Sequence, residues 1–301
     1  MTTIKQMRQK PIKPKAIFYT AVSIVWIFAT IALGHIVMVI VNKNHPQMMW
    51  SFGMWCGIIG FLIIAATRFF KSDGWQSFFG VLGGTSMWIA FEYSLIYGGQ
   101  RLGVSYTYNG SYPEYRMMEW SIGLLAMVCM YLMFQESVRC NLFVYLRRKL
   151  RLMKGAVATG KIDNYGPRTA FEYIGITWFC YVILIMGYDE AIFGAKGKFT
   201  YAVFFCSFAV AFYLAYKLLN FDTFGANLRY SIPTVMIFWN DIEVLAKWNM
   251  FKEPWVHINW PIMSAIIFGF CFSTYLIFKD LSARRQKESL PVLEDLKQVE
   301  T

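Results

Sequence analysis

Residues 88–108 read WIAFEYSLIYGGQRLGVSYTY, and this stretch decides both the solvent the chain lives in and where its chemistry is sought. Glu92 stands inside an apolar run that ends at Gly98 and Gly99 and is followed by Arg101 and a Gly- and Tyr-rich exit. Carried back to Phe78, the run has the length of a helix that crosses a bilayer, about 20 residues for a hydrocarbon core of about 30 Å. A carboxyl group within such a span is costly to insert and is a functional candidate for that reason.

The rest of the chain repeats the apolar part of this pattern. Of 301 residues, 57% are hydrophobic and only 16% are charged, which excludes an ordinary water-soluble protein. Backbone groups in lipid must be satisfied within the segment, so the runs are expected to be helices. Eight are expected, at 17–41, 48–69, 78–98, 117–138, 170–188, 201–219, 230–246 and 258–278. The fourth is expected to continue as a basic extension to Lys149. Pro233 and Asn240-Asp241-Ile242-Glu243 interrupt the apolar pattern of the seventh. The fold class is thus an all-α polytopic membrane bundle. It divides into a basic arm (1–16), a transmembrane domain (17–278) with a basic connection at 139–168, and a polar, mobile tail (279–301).

Charge sets the orientation. With both termini cytoplasmic, 22 of the 29 Lys and Arg residues fall on the inner side and 7 on the outer. One helix more or fewer would place the basic run 139–168 outside, against the positive-inside rule. The net charge of +11 then follows from orientation, with anionic inner-leaflet lipid as the partner and no nucleic acid required. Arg147, Arg148, Lys149 and Arg151 are expected to lie on that leaflet. The basic start lacks a small-residue cleavage site, so the first helix reads as retained, in a plasma or inner membrane. Six cysteines form no CxxC pair and read as small buried hydrophobes. The segment Gly80-Val81-Leu82-Gly83-Gly84 reads as close helix packing.

Placed by depth, His35, Glu92, Asp241, Glu243, Glu119 and His257 gather in the outer half, where a polar cavity would collect them. Glu92 has two readings. It is a structural carboxyl, hydrogen-bonded to a neighbouring helix or bridged to Arg101, or it is a chemical group. Burial favours the neutral carboxyl that a general acid needs. Glu119 stands one turn from Arg116 and reads first as an interfacial ion pair. Asp241 and Glu243 are two residues apart and point to different helix faces, so at most one joins Glu92. Asp241, with Asn240 beside it, is the expected partner. His35 and His257 read as satisfied interface histidines.

Other chemistries are set aside. Three histidines without paired spacing argue against bis-His haem or a diiron centre. There is no HExxH, Walker loop, GxSxG, or DDxxD-type motif for a magnesium diphosphate. No metal or cofactor is expected. Aromatic residues make up 19% of the chain, and beyond packing and interfacial belts their π faces suit a cavity that stabilises a cation.

Glu92-Tyr93, Gly99, Gly103, Tyr106 and Tyr108, followed by an apolar helix with Trp120, resemble the membrane carotenoid-biosynthesis family that includes carotenoid 1,2-hydratases. The tyrosines are displaced by one position from that family's pattern, and the resemblance covers about 40 residues. A looser similarity is to polytopic membrane terpene cyclases, through the Trp88/Glu92 turn and the Asp241 region. Both imply metal-independent protonation of an isoprenoid by a buried carboxylic acid. They imply Glu92 as the acid and Asp241 as its partner, with Trp88, Tyr93 and Tyr106 lining an apolar slot. Arg101, Glu119 and Asn240 complete the expected contacts to a hydrophobic small molecule. The competing readings are a proton- or cation-coupled transporter and a non-catalytic subunit of a membrane complex.

Overall fold

A computed structural model describes residues 13–104, 113–135, 138, 140–152, 164–254, 257 and 259–299. Among them the regular structure is helical: α1 (Pro14–Asn44), α2 (Met49–Ala66), α3 (Asp73–Arg101), α4 (Pro113–Trp120), α5 (Ile122–Phe134), α6 (Asn141–Lys149), α7 (Tyr165–Tyr188), α8 (Lys198–Leu218), α9 (Phe224–Lys247) and α10 (Trp260–Val299). Each of the eight expected runs therefore has a helical counterpart. Among the described residues, five segments are long and apolar enough to cross a membrane: Pro14–Asn44, Pro46–Phe69, Tyr165–Tyr188, Lys198–Leu218 and Trp260–Arg284.

α3 and α9 are long enough to cross as well, at 29 and 24 residues, but they are less apolar. Their position explains this. α3 packs against α1, α2, α4, α7 and α9, and α9 against α1, α3, α7 and α8. Helices enclosed by other helices can carry polar groups that a lipid-facing helix cannot. The outer helices show the reverse: α2 exposes Trp50, Trp55, Phe61 and Leu62, and α8 exposes Phe205, Phe212 and Tyr213.

Glycines let the central helices approach. A Cβ at Gly60 of α2 would stand 2.8 Å from the Gly83 carbonyl oxygen of α3. One at Gly80 would stand 2.5 Å from the Gly166 carbonyl oxygen of α7, and one at Gly84 would stand 3.1 Å from the Ala170 Cα. Gly80, Gly83 and Gly84 thus serve close packing, as the sequence implied, with one face of α3 turned to α2 and another to α7.

The fourth expected helix is interrupted. Between α4 and α5, the Ser121 hydroxyl donates to the Met118 carbonyl at 2.6 Å and accepts the Trp178 indole N–H at 2.8 Å. A serine that bonds its own backbone in this way competes with the helical ladder. Nor does α5 run on to Lys149. Gln135 and Cys140 are extended, and α6 begins afresh at Asn141.

Arg147, expected with its basic neighbours on the inner-leaflet surface, accounts for that turn and is buried instead. It is 3% exposed. Its Nη1 donates to the Gln135 carbonyl at 2.6 Å, its Nη2 to Val138, and its Nε to Phe143 at 3.3 Å. A guanidinium here closes carbonyls left open at the C-terminal end of α5, where a cation is also favoured by the helix dipole. Arg148, Lys149 and Arg151 are exposed. Arg147→Gln should cost about 1.5–3 kcal/mol, the range for hydrogen bonds to a charged group. Arg148→Gln should stay within about 0.5 kcal/mol. Thermal unfolding in detergent compares the two, and equal losses would remove the capping role.

The segment from Lys279, expected as a tail, continues α10 to Val299. Its start is pinned to α1: Tyr19 donates to Asp280 at 2.9 Å, Arg284 donates to the Tyr19 oxygen at 2.6 Å, and Arg284 pairs with Asp280 at 2.9 Å.

Candidate functional site

Four helices enclose a cavity of about 620 Å³ near the end of the bundle that carries the α1–α2 and α9–α10 connections. Each contributes one face at helical spacing. α3 presents Thr85, Trp88, Ile89, Glu92 and Ile96. α9 presents Met236, Trp239, Asn240 and Glu243, and α7 presents Tyr173, Thr177 and Tyr181. α1 adds Ile31, His35, Met38 and Asn42. The volume falls in the range of small-molecule sites, roughly 300–1,000 Å³.

The deep part combines carboxyl groups with aromatic rings. Glu92 is 7% exposed and lies within electrostatic range of Glu243 across the cavity, and of the Tyr173 hydroxyl. Trp239 donates its indole N–H to Glu243 at 2.8 Å, which fixes both side chains on α9. The His35 ring stacks on Trp239, with centroids 5.5 Å apart and planes at 22°. Opposite, Trp88 meets Tyr181 edge to face at 6.1 Å. Thr177 donates to the Tyr173 carbonyl at 2.7 Å, the usual back-bond of a helical threonine.

The mouth differs in character. Asn42, Lys43, Asn249, Lys252, Glu253 and His257 line it. Glu253 is within electrostatic range of Glu243, so acidic groups reach from the mouth inward.

The expected site residues separate into those the fold brings together and those it does not. Trp88, Glu92 and Asn240 line the cavity. Asp241 does not, and Glu243 holds the place expected for it. A step of two residues turns an α-helix by about 200°, so Asp241 faces away from Glu243. Both Asp241 carboxyl oxygens are buried without a hydrogen-bond partner among the described residues. Tyr93 also lies outside the lining. It is 1% exposed, packs with Met38, Met49 and Ile96, and donates to the Met38 carbonyl at 2.9 Å, which ties α3 to α1.

Arg101 is exposed at the end of α3. It is nine residues beyond Glu92, roughly 13 Å along the axis and on the opposite face, which does not suit a bridge. Glu119 pairs loosely with Arg116 at 3.9 Å, faces Asp189 and stays off the cavity. Tyr106 lies outside the described residues.

The α7 face went unread in the sequence, although Tyr173, Thr177 and Tyr181 recur every fourth residue and mark one side of a helix. His35 and His257, which the sequence reads as satisfied interface histidines, both border the cavity. Among the described residues no group of three or more His, Cys, Asp or Glu could hold a metal ion. No protein-family model, curated protein or solved structure matches the chain.

Proposed function

We propose that this chain is a multi-pass membrane enzyme that acts on an isoprenoid or related lipid by carboxylic-acid protonation, with Glu92 as the acid and Glu243 as its partner. One observation carries the reading: two carboxyl groups on facing helices share a small cavity walled by Trp88, Trp239, Tyr173 and Tyr181. In a low-dielectric wall, one acid and one carboxylate are held at less cost than two facing charges. The acid delivers a proton to a carbon–carbon double bond or an epoxide oxygen. The remaining carboxylate and the aromatic π faces then stabilise the positive charge that develops.

In the topology that goes with this reading, α1, α2, α3, α4 with α5, α7, α8, α9 and α10 make eight crossings. Both termini are cytoplasmic, α6 lies on the inner face, and the cavity mouth opens outward. Cysteine labelling in intact cells should reach introduced sites in the α9–α10 connection and not sites in α6. Equal outside access to both would end this topology.

The direct test is to incubate the purified protein with isoprenoid lipids in deuterated buffer. Products should carry solvent deuterium at the protonated carbon, or at no carbon if an epoxide is opened. A panel returned unchanged by a folded protein would remove the enzyme reading. A proton- or cation-coupled transporter is the second reading, favoured by a mouth of hydrophilic residues rather than a slot in the lipid-facing wall. Against it, α9 runs unbroken through Pro233, without the discontinuity common in transporter binding sites. Solute flux into proteoliposomes separates the two.

A further inference from the structure

We infer that the ligand of this cavity is an amphiphile with an anionic, phosphate-type head group held at the mouth by Lys43 and Lys252 while its apolar tail reaches inward to Glu92 and Glu243. The inference rests on the proposed reading and adds the substrate class. Its basis is the layering of the site along its depth. Trp88, Trp239, Tyr173 and Tyr181 form the inner wall, and the two lysines stand at the entrance, both exposed.

Lys43 lies eight residues beyond His35 on α1, roughly 12 Å along the helix. A head group at Lys43 therefore leaves about that length of tail between the mouth and the acid layer. Lys252 comes from a different element, the connection after α9, so the two cations at the entrance are supplied by separate parts of the chain. Lys247, nearby in sequence, is not counted, because its ammonium lies over the Tyr188 ring at 5.2 Å.

Charge placement determines which way round such a ligand enters. The inner layer carries acid groups, which repel an anion, and its aromatic faces attract positive charge. An anionic head is consequently held outside by both layers: attracted at the mouth and repelled from the floor. Glu253 is the acidic group at the mouth, and His257 adds a further donor beside it. Asn42 and Asn249 supply uncharged donors suited to phosphate oxygens. Lys43 also stands in the last turn of α1, where a cation is favoured by the helix dipole. That local role does not account for Lys252, which lies on no helix.

The test uses the full chain in nanodiscs and the fluorescence of its tryptophans, two of which line the cavity. Three probes share one tail: farnesyl phosphate, farnesol and farnesylamine. Farnesyl phosphate should bind about tenfold or more tightly than farnesol, a margin suited to charge-assisted bonds from two lysines. The combined Lys43→Gln and Lys252→Gln variant should remove that margin and leave farnesol binding unchanged. Equal binding of phosphate and alcohol, a margin that survives the double substitution, or preference for the amine would each overturn the head-group assignment. Quenching by inorganic phosphate as strong as that by farnesyl phosphate would overturn the amphiphile in favour of a free anion. Head-group failure with Glu92-dependent turnover intact would leave the acid mechanism standing, and the converse would leave the lipid site standing.

Discussion

Glu92→Gln is expected to yield a folded protein whose turnover falls by about 10²–10⁴, the usual contribution of a general acid. Gln keeps the size and hydrogen-bonding capacity of the side chain and removes its transferable proton. Because Gln has nearly the volume of Glu, the substitution at this buried position on the cavity wall creates no void. Stability should therefore stay close to the parent while activity collapses. Two further substitutions make the expectation specific. Glu243→Gln shares the cavity and should also lower turnover, whereas Asp241→Asn lies off the lining and should leave it within about twofold. Arg101→Gln, exposed on the opposite face of α3, should do likewise. Wild-type turnover from a folded Glu92→Gln protein would remove the carboxylate mechanism. A joint loss of stability and turnover would instead make Glu92 a structural carboxyl.

The second large effect is at Gly80. A Cβ there would lie 2.5 Å from the Gly166 carbonyl oxygen and 3.0 Å from the Thr169 Cβ. The first of these is backbone, so no rotamer change relieves the clash, and α3 and α7 must separate. Gly80→Leu should cost more than the about 1–3 kcal/mol typical of overpacking, enough to lose a monodisperse protein in detergent. Gly175 of α7 is the control, because nothing lies within 4 Å of a Cβ built there. Gly175→Ala should be neutral or stabilising by up to about 1 kcal/mol, since alanine is the better helix former. Size-exclusion profiles and thermal unfolding compare the pair. Survival of Gly80→Leu would mean that α3 and α7 do not meet through this contact, and the cavity walls would need a different arrangement.

The two helices joined at Gly80 are also where the limits of the sequence show. Apolar runs of membrane length follow from composition alone, because lipid leaves the backbone no partner but its own helix. The positions of α1, α2, α7, α8 and α10 were legible for that reason. So was the small-residue face of α3, since repeated glycines in an apolar helix have few uses besides close approach. Glu92, as a carboxyl within a span, could be singled out from its neighbours on each side. Its partner could not. The sequence placed Asp241 and Glu243 on different faces of one helix, and only the packing of α9 against α1, α3 and α7 decided that Glu243 looks inward. The same holds for Arg147, one cation in a basic run. Its burial against the Gln135 and Val138 carbonyls depends on how the chain turns between α5 and α6. Local composition determines which solvent each segment prefers, whereas the angle at which a helix docks determines which of its polar groups meet.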